Sequence, residues 1–545
     1  MPQEATGGAV IRISHRGGPL YALVGPWNET VKDVCKSTPG MQWQPIQRAW
    51  VGYSDAVDCV STRLRNEGVE VAGDIKIDSS KDVSTFAICY ESLRDYQRTG
   101  VEFLVDHARE GCILADDMAL GKTIQSIRAA RAFKDKTVVV CPSFVKNHWL
   151  DELKKWWPSA TTRILSGVKT TDIIDNSVDV VIVNYDILHA WLPTLIVWQA
   201  KTLIVDELHY LMTPSSRRTN AARDLARTCQ QRIGLTGTPK PSHVKNLWAA
   251  VDVLSESRFG KTFFGFGLRY CNGHQVSIDI FQEGIKATRN VWDFSGSSHE
   301  DELRHRLSFF MLRRLKSEVS IQLPAVTRQI IEVEVKAPKF SLSKSLQSDR
   351  ALRKALDIAA DQKIPQAIDL VRSYVESGRK VVCFGYRKAI AAAIAEGVRQ
   401  HLKSKIEVVT GDIDVKKRLA IVASQPDLLC ATMDSLGVGV SLAYADVGIF
   451  VELHYTPSTL MQCEARIPRS DSKASNVLIV YLIARGTADD IIKRIVISKM
   501  AIDEKIIGKS TSKLFDELNA AASVSVSEKM RKLYERLLEQ DEDAA

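Results

Sequence analysis

Two series of short apolar runs constrain this chain more than any other feature of its sequence. The first comprises CILA (112–115), TVVVC (137–141), VDVVIV (178–183), TLIVD (202–206) and RIGLTG (232–237). The second comprises KVVCFG (380–385), IEVVTG (406–411), LLCAT (428–432), VGIFVEL (447–453) and NVLIVYLIA (476–484). Runs this apolar and β-branched, spaced by amphipathic helical stretches, predict parallel strands buried on both faces. Two series predict an α/β protein with two tandem, doubly wound parallel-sheet lobes.

The rest of the chain fits around those lobes. Residues 1–8 read as a flexible leader and 9–80 as an accessory domain, ending in the polar run DIKIDSSKDVS. Lobe 1 is expected over 85–240, a helical and aromatic insertion with the inter-lobe linker over 241–325, lobe 2 over 326–510, and a helical tail over 511–545. In the tail, Met530, Leu533, Tyr534, Leu537 and Leu538 share one helical face. With 545 residues, 45% hydrophobic and 25% charged, wholesale disorder is excluded. Apolar stretches fall well short of the roughly 20 residues of a membrane span, and no signal peptide opens the chain. The expectation is an intracellular protein, cytoplasmic or nucleoid-associated, nuclear if eukaryotic, with no membrane partner. Its ten cysteines are scattered without a C-x-x-C pair, and several lie inside apolar runs, which predicts buried thiols rather than a zinc site. The net charge of +8 tolerates a polyanionic partner without requiring one.

Candidate chemistry lies at the strand ends. ADDMALGKT (115–123) joins the strand CILA to the helix KTIQSIRAARAF. A Gly-Lys-Thr at such a junction turns backbone N–H groups and a helix N-terminus toward phosphate. Gly121 would allow the turn, Lys122 would reach β- and γ-phosphates, and the Thr123 hydroxyl would ligate Mg²⁺. Asp116 occupies the first position of the strict G-x-x-x-x-G-K-T pattern. TLIVDELH (202–209) ends in two adjacent carboxylates: Asp206 can hold the Mg²⁺ shell and Glu207 can orient the attacking water. QCEARIPRSD (462–471) supplies Arg466 and Arg469, about 340 residues beyond Lys122 and in the other lobe. Arginines there suit charge developing on a transferring phosphoryl group, which would make hydrolysis depend on lobe closure.

These motifs, in this order, resemble a superfamily-two helicase-type motor of the Swi/Snf branch, with tandem RecA-like lobes. LRDYQRTGV (93–101) resembles its adenine-reading segment, which implicates Gln97; VVVCPSFVKNHWLDE (138–152), VNYDIL (183–188) and LTGTP (235–239) resemble further motifs of lobe 1. MLRRLKSEVSIQLP (311–324) resembles the signature between the lobes, and GVGVSLAYAD (437–446) a nucleotide-facing motif of lobe 2 that includes Gly439. The resemblance implies ATP and Mg²⁺ as cofactors, and coupling or nucleic-acid roles for His209, Thr236, Thr238, Thr432, Gly437, Gln462, Lys146, Asn147 and Trp149. Trp149 is either a base-stacking or a helix-packing residue. Within the branch, FVELHYTPSTLMQCEAR (450–466) and YLIARGTADD (481–490) resemble HARP-like annealing helicases and fork remodellers. Residues 32–53 resemble the recognition domain preceding the motor in that group, an unrelated small α/β domain being the alternative. Two departures stand out. Ala119 replaces the usual glycine, a modest change if its φ is negative, and Pro468 follows Arg466 where the family differs.

The resemblance therefore implies a DNA-dependent ATPase that translocates on duplex or forked DNA without reading sequence, and remodels or reanneals it. A strand-separating helicase, a remodeller that displaces a protein from DNA and an ATP-gated clamp remain open. No wedge hairpin is evident in the sequence. A single-strand-binding or replication and repair protein is a candidate partner, and a monomer is expected.

Overall fold

The computed structural model describes residues 10–16, 20–73, 75, 89–168, 173–237, 244–282, 285–316, 318–319, 324–334, 349–436, 440–454, 457–468, 476–485, 487–489 and 492–493. The C-terminal tail and its apolar face lie outside these residues. The chain divides into two compact units at Val319 and Ser320.

The first unit opens with a five-stranded mixed sheet of order β3-β4-β2-β1-β5. Its strands are β1 (Ile11–His15), β2 (Leu20–Val24), β3 (Gln42–Gln44), β4 (Ala49–Tyr53) and β5 (Val71–Ala72). Two helices, Glu29–Lys36 and Ser54–Asn66, cover it, and Leu23, Val31, Cys35, Val57, Val60 and Leu64 form its core.

The main sheet of this unit has order β14-β6-β11-β10-β7-β9-β8, with every neighbouring pair parallel. Its members are β6 (Cys112–Leu114), β7 (Thr137–Cys141), β8 (Thr162–Ile164), β9 (Val180–Asn184), β10 (Thr202–Asp206), β11 (Gln231–Leu235) and β14 (Met311–Leu312). The chain crosses from β6 over two strands to β7, so β11 and β10 stand between them. The C-terminal ends of β6 and β10 thus share one rim, where open α/β sheets bind ligands. All five residues of β7 and of β9 are buried, as runs apolar on both faces require.

The region expected to be helical and aromatic does contain helices, at Val244–Leu254, Phe263–Tyr270 and Glu300–Ser308. It also contains an antiparallel hairpin, β12 (His274–Gln282) with β13 (Ile285–Asp293), which the sequence reading missed. Val276, Ile278, Ile280 and their partners Val291, Ala287 and Ile285 occupy one face of it by register, a period-2 pattern diluted by the polar residues between.

The second unit carries a six-stranded, wholly parallel sheet of order β15-β20-β19-β16-β18-β17. These are β15 (Ala325–Val333), β16 (Val381–Gly385), β17 (Ile406–Val409), β18 (Leu428–Thr432), β19 (Val447–Phe450) and β20 (Asn476–Ala484). Alternate residues feed two cores. Val382, Phe384, Leu429, Phe450 and Tyr481 pack on one face, and Val381, Cys383, Leu428, Cys430 and Ile449 on the other. All ten cysteines are free and nine are buried; burial pushes the Cys59 thiol up to about 12, so it behaves as a packing group. Both units are RecA-like α/β lobes by strand order and helical cover.

A candidate nucleotide-binding centre

The phosphate loop leaves β6 at Leu114 and enters the helix Lys122–Phe133. Gly121 caps that helix at φ 78°, and a Cβ there would lie 2.6 Å from Gln97 Nε2, so the turn requires glycine. Lys122 Nζ donates to the carbonyls of Asp116 at 2.7 Å and Asp117 at 3.2 Å, curling the loop around its ammonium. Burial lowers the Lys122 pKa, while Glu207, Asp116, Asp117 and Asp206 oppose that shift. Thr123 follows it in the first helical turn. Ala119 sits at φ 66°, which corrects the expectation of a negative φ: a non-glycine residue held in the left-handed region costs about 1–3 kcal/mol.

Asp206 ends β10, and Glu207 bends the chain at φ 53° into the short helical turn Leu208–Leu211. Asp206 Oδ1 accepts the Glu207 backbone N–H at 3.0 Å, and Oδ2 accepts the Trp149 indole N–H at 2.8 Å. Tyr185 Oη donates to the Asp206 carbonyl. Burial and the neighbouring Glu207 push Asp206 up to about 7, against the pull of Trp149 and Lys122. His209 Nδ1 lies 3.3 Å from Glu207 Oε2. Asp206 and Glu207 are crowded together in a site with one lysine. That oxygen-only, anionic donor set fits a hard divalent cation, which would relieve the charge that raises Asp206. With Lys122 and the loop N–H groups beside it, the centre fits a magnesium nucleoside triphosphate.

A brace absent from the sequence reading supports the loop. β14 runs beside β6, and the backbone N–H of Asp117 donates to the Arg314 carbonyl at 3.0 Å. Arg314 then grips the fully buried Asp116 carboxylate with Nε on Oδ1 at 2.9 Å and Nη2 on Oδ2 at 2.5 Å. It also reaches Gln125 Oε1 at 2.8 Å and the Tyr96 carbonyl. Arg313 donates to the Ala115 carbonyl at 3.3 Å. The pair Arg313–Arg314 is therefore turned into the lobe rather than toward a groove. The only sequence signal was an aspartate where the phosphate-loop pattern has glycine.

A family model described as SNF2-related domain matches residues 96–382, just over half of the chain. The chain belongs to this SNF2-related family. Among curated relatives, the Xenopus tropicalis SWI/SNF-related matrix-associated actin-dependent regulator of chromatin subfamily A-like protein 1 is 31% identical, over 77% of this chain and 45% of its own length. The mouse DNA annealing helicase and endonuclease ZRANB3 is 30% identical, over 73% of this chain and 39% of its own. The Caenorhabditis elegans homologue of the first is 26% identical, over 95% and 80%. This chain thus spans under half the length of the first two relatives. The Sulfolobus solfataricus SWI2/SNF2 ATPase core domain aligns over 82% of this chain and 98% of its own, at 20% identity with a TM-score of 0.39, a value that leaves strand order to define the fold.

The other SNF2-motif residues are dispersed. Gln97 is buried, its Oε1 accepting from the Arg94 N–H at 3.1 Å and its Nε2 donating to the Leu120 carbonyl at 3.3 Å. On the same helix a cavity of about 410 Å³ is lined by Tyr90, Glu91, Arg98 and Glu102. Thr236 is buried, its N–H donating to the Leu114 carbonyl at 3.2 Å, which joins the ends of β11 and β6. Trp149 is fully buried, so it packs and cannot stack on a base from there. Lys146 Nζ is spent on the Leu165 carbonyl and Asn184 Oδ1, both at 3.1 Å, rather than pointing to a phosphate; Asn147 beside it is exposed. In the second unit Thr432 ends β18 in a buried position, and Gln462 lies half-buried on the helix Pro457–Glu464. Arg466 is buried; its Nη1 donates to the Val440 carbonyl at 3.0 Å and its own carbonyl accepts from Leu442, tying two motifs together. Thr238, Gly437, Gly439 and Arg469 lie outside the described residues. Among the described residues, no helix is long and apolar enough to cross a membrane.

Proposed function

We propose that this chain is an ATP-dependent DNA translocase that remodels or reanneals forked or branched DNA. One observation carries the reading: Lys122, Asp206 and Glu207 meet at the ends of β6 and β10 in an SNF2-related chain. The names of its relatives, which include an annealing helicase, support the finer reading. Lys122 would exchange its two loop carbonyls for the β- and γ-phosphates of ATP. Thr123 and Asp206 would hold Mg²⁺, which when bound neutralises charge on those phosphates. Glu207 would take up and orient the attacking water. Gln97 would read adenine once its amide leaves the Leu120 carbonyl. Arg466 and Arg469, carried by the other unit, would meet the transferring phosphoryl group when the lobes close on duplex DNA. Exposed Asn147 and the exposed lysines Lys416 and Lys417 suit phosphate contacts that carry no sequence information. Residues 9–80 would select forks or branches, and work at forks would bring a replication or repair protein alongside in the nucleus or nucleoid.

Steady-state ATPase rates with single-stranded, duplex and forked DNA test this. Stimulation by duplex and forked DNA is expected, and none by any DNA would refute it. Lys122→Ala and Glu207→Gln should both fall below about a tenth of wild-type turnover, with Glu207→Gln still binding ATP. Arg466→Ala should lose rate while ATP affinity changes little, the mark of a transition-state contact. The hairpin β12–β13 favours strand separation as a second reading; displacement of a labelled strand from a fork, rather than its reannealing, would select it.

A further inference from the structure

Asp206 is held by a side chain to which the proposed chemistry gives no part. Trp149 lies on the helix Lys146–Trp156 with no solvent exposure, and its Nε1–H donates to Asp206 Oδ2 at 2.8 Å. An indole nitrogen is a donor only, so a buried one must find an acceptor, and a carboxylate gives it a charge-assisted bond. Asp206 Oδ1 is held separately by the Glu207 N–H at 3.0 Å, and the Asp206 carbonyl by the Tyr185 hydroxyl. A carboxylate offers about four lone-pair sites, so two hydrogen bonds on different oxygens fix its rotation and leave sites open for a cation. Packing alone would be met by any ring of similar size; the aimed N–H is not needed for packing.

We propose that Trp149 is a positioning residue for the divalent cation, holding the Asp206 carboxylate in the one rotation that leaves its free lone pairs to the metal. The inference rests on reading Asp206 as a metal-holding group. Outer partners of metal-holding side chains are worth roughly 10–100-fold in metal affinity. Trp149→Phe keeps the ring and removes the donor; benzothienylalanine at 149, with sulfur in place of N–H, keeps the full indole shape if Phe does not fold. The probe is Mn²⁺ binding to the full chain with ADP, followed by the EPR signal of free Mn²⁺, alongside denaturant unfolding of the metal-free protein. Expected are a 10–100-fold weaker Mn²⁺ affinity and an unfolding midpoint close to wild type. Unchanged Mn²⁺ affinity in a folded variant overturns the proposal, whatever happens to stability. Asp206→Asn is measured in parallel. If it leaves Mn²⁺ binding intact, the reading of Asp206 itself fails; if it weakens binding and the Trp149 variants do not, only the role of Trp149 fails.

Discussion

Two residues at the rim of the first lobe hold backbone conformations their side chains disfavour, Ala119 at φ 66° and Glu207 at φ 53°. For Glu207 the left-handed turn sets the carboxylate beside Asp206 at the end of a strand, so strain and function coincide. For Ala119 no side-chain role offsets it. Ala119→Gly should relieve about 1–2 kcal/mol of native strain while adding about 0.4–1 kcal/mol of unfolded-state entropy. A net gain of at most about 1 kcal/mol is expected. Ala119→Val, β-branched at positive φ, should lose about 1–3 kcal/mol. Denaturant unfolding without nucleotide checks the order, glycine at least as stable as alanine and valine last. Such strain was not legible in ADDMALGKT, because φ is set by how the whole loop closes on Lys122.

The strand β14 and the residues after it act as one brace for the phosphate loop. Arg314 fastens Asp116 only five residues before the boundary at Val319, where the chain passes to the second unit. Removing one partner of a buried pair leaves an uncompensated charge, which costs about 3–5 kcal/mol. Arg314→Ala should destabilise the first unit by that order in thermal unfolding. Arg314→Lys should recover only part of it, since an ammonium cannot reproduce the two parallel bonds to the carboxylate. Nucleotide affinity should fall in both, because Asp116 also supplies a carbonyl to Lys122. Equal stability of Arg314→Ala and wild type would show that the brace carries no energy. The residues were visible in the sequence as MLRRLKSEV, but their pairing spans 198 positions and no local pattern reports it.

At the scale of the first unit, the N-terminal sheet has its own core yet is clamped to the insertion. Asp55 has no solvent exposure and takes Arg258 Nε on Oδ1 at 2.9 Å and Arg306 Nε on Oδ2 at 2.8 Å. Arg306 Nη1 also donates to the Pro39 carbonyl at 2.9 Å, and Gly40, at φ 95°, brings its backbone so close that a Cβ would lie 2.1 Å from the Arg258 carbonyl. The guanidinium of Arg258 lies 4.0 Å from the Phe310 ring centroid, and that of Arg306 lies 4.4 Å from Phe259. Every motor motif follows Leu93, which suggested a separable module. Deleting residues 1–80 would instead strip two buried guanidinium groups of their carboxylate. The truncated chain should unfold at lower temperature, and Asp55→Ala in the full chain should lose about 3–5 kcal/mol. Differential scanning calorimetry decides this; an unchanged transition in Asp55→Ala would mean the clamp is energetically silent.

The sequence by itself determined the two parallel sheets and the residues of the nucleotide centre. Strands buried on both faces must be apolar throughout, and phosphate loops need Gly-Lys-Thr at a strand–helix junction, so both leave contiguous signals. TVVVC, TLIVD, LLCAT and NVLIVYLIA coincide with β7, β10, β18 and β20. The half-exposed β15, whose burial alternates, and the polar hairpin left none. Only the tertiary structure decided what holds the centre in place: Trp149 on Asp206, Arg314 on Asp116, and Arg258 and Arg306 on Asp55. Each joins residues 57 to 251 positions apart, and a buried polar group takes whatever partner the fold delivers, because leaving it unpaired costs more than any local preference supplies.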